Sequence, residues 1–245
     1  MKKPVLAALA ASAALLMGAA PAAAGDTRCS GGNPFAGGTS VTGTFDNVVV
    51  PEGATCYLAG ATVRGNVKAL DDSNFFSDAS TIRGNVEGDK ADVVQVFRGS
   101  TVGGNIQHKE SDGVGELASI LRETFVCGVR VGGNVQVEKV TGQISVGPVD
   151  DFAVFCPTAE NDVAGNVKVE DNLLVPAPGT PSASGETLDI RQNFVRGDMQ
   201  VFKNRGPGTK RVQENTVRQN LQCTENDPPF IGGPNSAGEA EGQCF

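Results

Sequence analysis

The chain has 245 residues, 39% of them hydrophobic, with 20 Lys and Arg against 28 Asp and Glu, one His, six Cys and no Trp. A net charge of −8 disfavours nonspecific binding of nucleic acid or anionic membrane, because its field repels phosphate. A single His and no Cys-x-x-Cys leave metal clusters and thiol catalysis without a residue set, so no metal and no cofactor is expected.

Residues 1–24 read as a secretory signal peptide: Lys2 and Lys3 start it, Val5 to Ala20 form its apolar stretch, and cleavage is expected after Ala24. No later segment approaches the roughly 20 apolar residues needed to span a bilayer. The product is therefore expected to be secreted, without a membrane span. Removing the signal leaves 18 cations against 28 acids, a net −10. All six Cys remain, an even number that favours three disulfides in an exported chain.

Residues 25–40 are read as an N-terminal cap. Residues 41–50 (VTGTFDNVVV) then offer a first coil with Asn47, and Thr62-Val63-Arg64-Gly65-Asn66-Val67 gives the full phrase 19 residues on. It returns at 81–86, 101–106, 130–135 and 162–167. Weaker copies stand at 194–199, with Asp198 in the Asn place, and at 216–221, with Gln219 in the Gly place. The shortest intervals are 19, 20 and 22 residues; three longer ones of 29 to 32 hold a coil plus an excursion. Repeats of this size mark a solenoid whose units cannot bury their apolar faces alone.

The phrase reads as strand, turn, strand. Val63 and Val67 point inward around a Gly-Asn corner, where Gly permits a tight bend and Asn tolerates a left-handed backbone. Period-two alternation continues through Val135, Gln136, Val137 and Glu138. With 32 Gly and 13 Pro, long helices are disfavoured. The expected fold is all-β: a single right-handed parallel β-helix over 41–225, with Val63, Val67, Val86, Val102, Ile106, Val135, Val167 and Leu221 inside. Asn66, Asn85, Asn105, Asn134, Asn166, Asp198 and Asn220 are expected to stack as an internal hydrogen-bonded ladder. An antiparallel sandwich is the rival fold. Excursions are expected near 110–125, with a locally helical look, and near 173–190, rich in Pro, Ser and Gly. Residues 226–245 are read as a C-terminal cap, mostly loop.

Six Cys allow 15 connectivities. Proximity favours Cys29 with Cys56, Cys127 with Cys156 and Cys223 with Cys244, which would place one bridge near each end and one across the central excursion.

Read as columns, Arg64 stacks over Arg83 and Arg196 over Arg218, and such pairs could grip a polyanion or carboxylated glycan. Neutralisation by local acids is the plainer reading. Lys68, Glu87, Gln107, Gln136, Lys168, Gln200 and Gln222 form a mixed polar column typical of a solvated face. Acidic groups at Asp71-Asp72, Asp89 with Asp92, Asp150-Asp151 and Glu170-Asp171 match no Ca²⁺ motif and read as solvated turns. His108 falls in an inward column and reads as a packed histidine. No catalytic residue is singled out.

Three further stretches complete a resemblance: Pro51-Glu52-Gly53-Ala54-Thr55-Cys56, Gln219-Asn220-Leu221-Gln222-Cys223 and Glu241-Gly242-Gln243-Cys244. With the T-V-x-G-N-V phrases, they make the chain similar to a group of secreted bacterial β-helical repeat proteins to which no biochemical activity is assigned. A more distant likeness is to bactofilins, β-helical proteins that polymerise end to end. The resemblance implies the β-helix and the disulfide-stapled ends. The expected function is that of a secreted, non-enzymatic structural or surface-interaction protein of the cell envelope or exterior, with a cell-wall or surface component as partner. The alternative is a polysaccharide-acting enzyme, lyase or glycosidase, since such chemistry needs only two carboxylates. The near absence of Trp and Tyr, with Tyr57 alone, counts against a sugar cleft.

Overall fold

The computed structural model describes residues 25–30, 40–113, 122–149, 156, 160–176 and 186–244. Every strand pairing in it is parallel, and no described residue is helical. The chain is a parallel β-helix with three-sided coils. One coil shows the plan: a two-residue strand (Thr62–Val63), a three-residue strand (Val67–Ala69) and a five-residue strand (Asn74–Asp78). These form its first, second and third sides.

The coils stack in register, with irregularities between Glu186 and Leu188 and between Val217 and Asn220. On the first side Thr44, Thr62, Thr81, Thr101, Arg130, Asp162, Phe194, Thr216 and Ser236 succeed one another. On the second, Val48, Val67, Val86, Ile106, Val135, Val167, Met199, Leu221 and Ala240 do so. On the third, the succession is Cys56, Phe75, Val94, Thr124, Ile144, Leu188 and Lys210. β-branched residues dominate because short strands that pack side chain on side chain at about 4.8 Å suit their restricted rotamers. All eight expected core residues are fully buried.

The stacking runs beyond 41–225 at both ends. Asp26–Arg28 pairs with Asn47–Val50. Ser236–Gly242, expected as loop, is a seven-residue strand that continues the register of Thr216–Thr224. Hydrophobic alternation is missing from it because an end strand has no further coil to cover. Residues 1–24, 31–39, 114–121, 150–155, 157–159 and 177–185, on which the expected signal peptide, most of the expected N-terminal cap and most of the expected excursions fall, lie outside the described residues.

The Gly-Asn corner has a different cause from the one expected. Neither residue is left-handed there. Instead, each Asn Oδ1 accepts the backbone N–H of the corresponding residue one coil on: Asn66 from Asn85 at 2.8 Å, Asn85 from Asn105 at 2.8 Å, Asn105 from Asn134 at 2.8 Å. The following coil's Gly lies against that oxygen, and a Cβ at Gly84, Gly104, Gly133, Gly165 or Gly197 would overlap it. Gln219 replaces Gly without loss of register to the preceding coil, and the Asn220 N–H still donates to Asp198 Oδ1 at 3.0 Å; the register slips only against the last strand, between Val217 and Asn220. This ladder is not internal: Asn66, Asn134 and Asn166 are exposed and the others half-buried.

Two other columns are internal. Asn161, Asn193, Asn215 and Asn235 form one, each Nδ2 donating to the next Oδ1 at 2.8, 2.9 and 3.1 Å. Asn172, Asn204 and Asn226 form the second, at 2.7 and 2.9 Å, and Gln243 closes it. Their remaining amide protons reach buried carbonyls of Val126, Val146, Val169 and Val201. Disulfides join Cys29–Cys56, Cys127–Cys156 and Cys223–Cys244, with Cα atoms 5.4, 5.8 and 5.5 Å apart. The first and last close the two ends, and the middle one ties Cys156 to the third side.

Candidate functional site

A two-residue strand exposes little, so what the first side presents is set by two outward positions per coil. The first outward column begins with four stacked threonines, Thr44, Thr62, Thr81 and Thr101, and then becomes Arg130, Asp162, Phe194 and Thr216. One residue beyond the paired inward valines and Ile82 runs the second column: Asp46, Arg64, Arg83, Gly103, Gly132, Ala164, Arg196 and Arg218. The stacking of Arg64 on Arg83 and of Arg196 on Arg218 follows directly from this register. Five arginines against two aspartates leave this face at +3, on a chain whose net charge is −8.

The arginines are held differently at the two ends. Arg64 meets Asp46 at 3.5 Å in an exposed pair, which contributes little because water screens it. Arg83 is exposed and has no ion pair among the described residues. At the other end, Arg196 contacts Asp162 at 3.0 Å, and Arg130 lies 3.9 Å from the same carboxylate. The guanidinium carbons of Arg196 and Arg218 stand 5.9 and 5.2 Å from the Phe194 ring centroid, so one aromatic ring holds two cations. Between the ends, Gly103, Gly132 and Ala164 leave the backbone bare. A pocket of about 190 Å³ opens at the corner where these strands begin, lined by Thr101, Arg130, Asp162, Glu160 and the backbone of Gly99 and Gly128.

The second side satisfies itself. Gln200 reaches Gln222 at 3.5 Å, Gln222 reaches Glu241 at 3.3 Å, Gln136 reaches Glu138 at 3.0 Å, and Lys168 pairs with Glu170. His108 is sealed in the core: Nε2 donates to Ala91 O at 2.8 Å, and Nδ1 accepts from the Thr124 hydroxyl at 2.7 Å. Burial lowers its pKa to about 4, which keeps the ring neutral. The preceding coil makes room with Gly88, where a Cβ would lie 3.2 Å from the ring.

Buried charge collects instead on the outward face of the third side. Arg122 donates to Ser145 Oγ at 2.7 Å and lies 3.6 Å from Glu186, which also pairs with Arg211. Arg191 approaches Asp189 at 3.1 Å and donates to Pro148 O at 2.7 Å. Burial, and then the neighbouring Glu186, push the Asp189 carboxyl above the usual carboxylate range. Burial also pushes Glu123 up to about 8; its carboxyl accepts the Gln143 N–H and occupies the space a Cβ on Gly142 would need. Lys210 points into the coil interior, where Nζ donates to the carbonyls of Gly206 and Asp227 at 2.7 and 2.9 Å.

Among the acidic turns, the structure groups Asp72, Asp92 and Asp112, from successive coils, with oxygens within 4.8 Å of one another. These are the described residues that could hold a hard cation. Asp150 and Asp151 lie outside the described residues.

Sequence reasoning named four of the five arginines but not Arg130, Asp162 or Phe194. Their signal was present, since each stands where the repeat phrase has Thr. Comparisons of the chain with protein-family models, with curated proteins and with solved structures found no match.

Proposed function

We propose that the protein is an exported, non-enzymatic β-helical protein of the cell envelope or exterior that binds other surface components through its first side. The observation that carries this reading is the segregation of charge: a face of +3 on a chain of −8. A positive strip on an acidic surface steers anionic partners to one face while the rest of the molecule repels them. Three disulfides suit an oxidising compartment outside the cytoplasm. Polar groups elsewhere are largely used within the fold, in the Asn columns and around His108.

The test is a pull-down of the mature protein against cell-wall fractions and polysaccharides, run beside a reducing-end release assay. Retention is expected, without turnover, and is expected to fall in the Arg64→Ala, Arg83→Ala double variant. Glycan release that disappears on changing one carboxylate would replace this reading with an enzymatic one.

A further inference from the structure

We infer that the first side takes a linear acidic polysaccharide of the uronic-acid type, lying along the stacking axis and gripped by the two arginine stations. The inference rests on the surface-binding reading and names its ligand. Four coil steps separate Arg83 from Arg196, so at about 4.8 Å per step the stations stand about 19 Å apart. A ligand that engages both must be extended and narrow, because each coil contributes only two outward positions.

The lining chooses among anionic polymers. Polyphosphate places a negative group at every unit with no hydroxyl between them, and would meet Asp162 and Glu160 beside the path as well as Arg130. A polyuronate also carries a carboxylate on every unit, but each sugar adds free hydroxyls. Its carboxylates suit guanidinium forks, which bind them bidentately. Its hydroxyls can donate to Asp162 and exchange hydrogen bonds with the column of Thr62, Thr81 and Thr101. The bare backbone at Gly103, Gly132 and Ala164 lets sugar rings approach closely between the stations, and the pocket at Thr101, Arg130 and Asp162 has room beside that path.

The stations are prepared before binding. Phe194 holds Arg196 and Arg218 at 5.9 and 5.2 Å, and Asp162 fixes Arg196 at 3.0 Å, so little side-chain freedom remains to be lost there. Arg83, exposed and without an acid partner among the described residues, supplies the open cation at the far station.

The experiment is calorimetric titration of the mature protein with oligogalacturonates of graded length, with the same oligomers methyl-esterified, and with sodium polyphosphate. Affinity is expected to rise steeply once an oligomer spans both stations, since the second contact becomes intramolecular. Esterification is expected to abolish binding. Arg83→Ala, and separately Arg196→Ala with Arg218→Ala, should each weaken the long oligomers about tenfold or more and remove the length threshold. These are exposed side chains, and unchanged thermal unfolding of the variants will establish that the fold is intact. Equal binding of esterified oligomers, polyphosphate binding as tight as the oligouronate, or no binding at any length would each overturn the inference. Retention on wall fractions that oligogalacturonate does not compete away would overturn the ligand assignment alone and leave the surface-binding reading standing.

Discussion

Removing one internal amide should cost far more than removing one from the corner ladder, although both are asparagines in stacked columns. In Asn193→Ala, the buried Nδ2 of Asn161 loses its 2.8 Å acceptor and Val146 O its 2.8 Å donor, while Asn215 Oδ1 loses a 2.9 Å bond. No water reaches these groups, since Asn161 is fully buried and Asn193 and Asn215 are each 1% exposed. A buried group left unpaired costs about 1–3 kcal/mol, so the expected loss is about 3–4 kcal/mol. Asn66→Ala removes one bond, to the Asn85 N–H at 2.8 Å, at an exposed corner where water substitutes; the expected cost is about 0.5–1 kcal/mol. Urea unfolding of both variants with disulfides intact measures the difference through the midpoints at unchanged slope. Hydrogen exchange should locate the loosening in the coils around Asn193. Equal costs, or a loss below about 1 kcal/mol for Asn193→Ala, would refute the claim that the internal columns and not the corner hold the stack.

Two further outcomes follow from the same packing. Glu123 has a folded pKa of about 8 against an ordinary 4.5, so the native state keeps a proton that the unfolded chain releases; its contribution is full below pH 4.5 and is lost as pH rises through 8. Glu123→Gln, neutral at every pH, should therefore gain on the parent between pH 4.5 and 8, by at most about 5 kcal/mol, and a pH-independent difference in unfolding free energy would exclude this. Gly133→Ala forces a Cβ onto Asn105 Oδ1 and should cost about 2–3 kcal/mol, whereas Gly60→Ala, left-handed at φ 61° but with open space around it, should cost about 1 kcal/mol. Thermal unfolding that ranks them the other way would return the corner to a conformational explanation.

The architecture was legible because its signal is translational: one phrase at coil spacing, with Val63, Val67 and their successors inward. The internal Asn columns were equally periodic, at intervals of 32, 22 and 20 for Asn161, Asn193, Asn215 and Asn235. They are harder to read because one column precedes the phrase, the other (Asn172, Asn204, Asn226) follows it, and neither lies in it. In the N-terminal coils the same place holds Ala61, Ser80 and Ser100, where the Ser80 and Ser100 hydroxyls accept the preceding coil's N–H at 3.0 and 3.2 Å in place of an amide. The cationic face was half legible. Arginine pairs could be read from columns, but the Asp162 pairings with Arg130 and Arg196 join coils 32 residues apart in sequence, and that distance is bridged only when the excursion is recognised.

What no local rule would have found is the corner between the second and third sides. Its left-handed residues are Asp72, Lys90, Glu110, Lys139, Asp171, Lys203 and Glu225, with φ from 53° to 58°. Propensity reserves such positions for Gly and Asn. Here the backbone N–H of every one from Asp72 to Lys203 donates to the next coil, as from Lys90 to Lys109 O at 2.8 Å and from Glu110 to Glu138 O at 3.0 Å, so the stack imposes the conformation and the side chain is free to answer to something else. It answers to its neighbours above and below. The signs alternate without exception from Asp72 to Glu225, which at about 4.8 Å per step sets each inner charge between two opposite ones. Slipping the stack by one coil would bring like charges together all along this edge. Screened exposed pairs contribute little singly, so the column's value lies in penalising misregister. The second corner and the first side thus use charge in opposite ways: one alternates its signs and keeps a net of only −1 over seven residues, and the other concentrates cations where a partner can meet them.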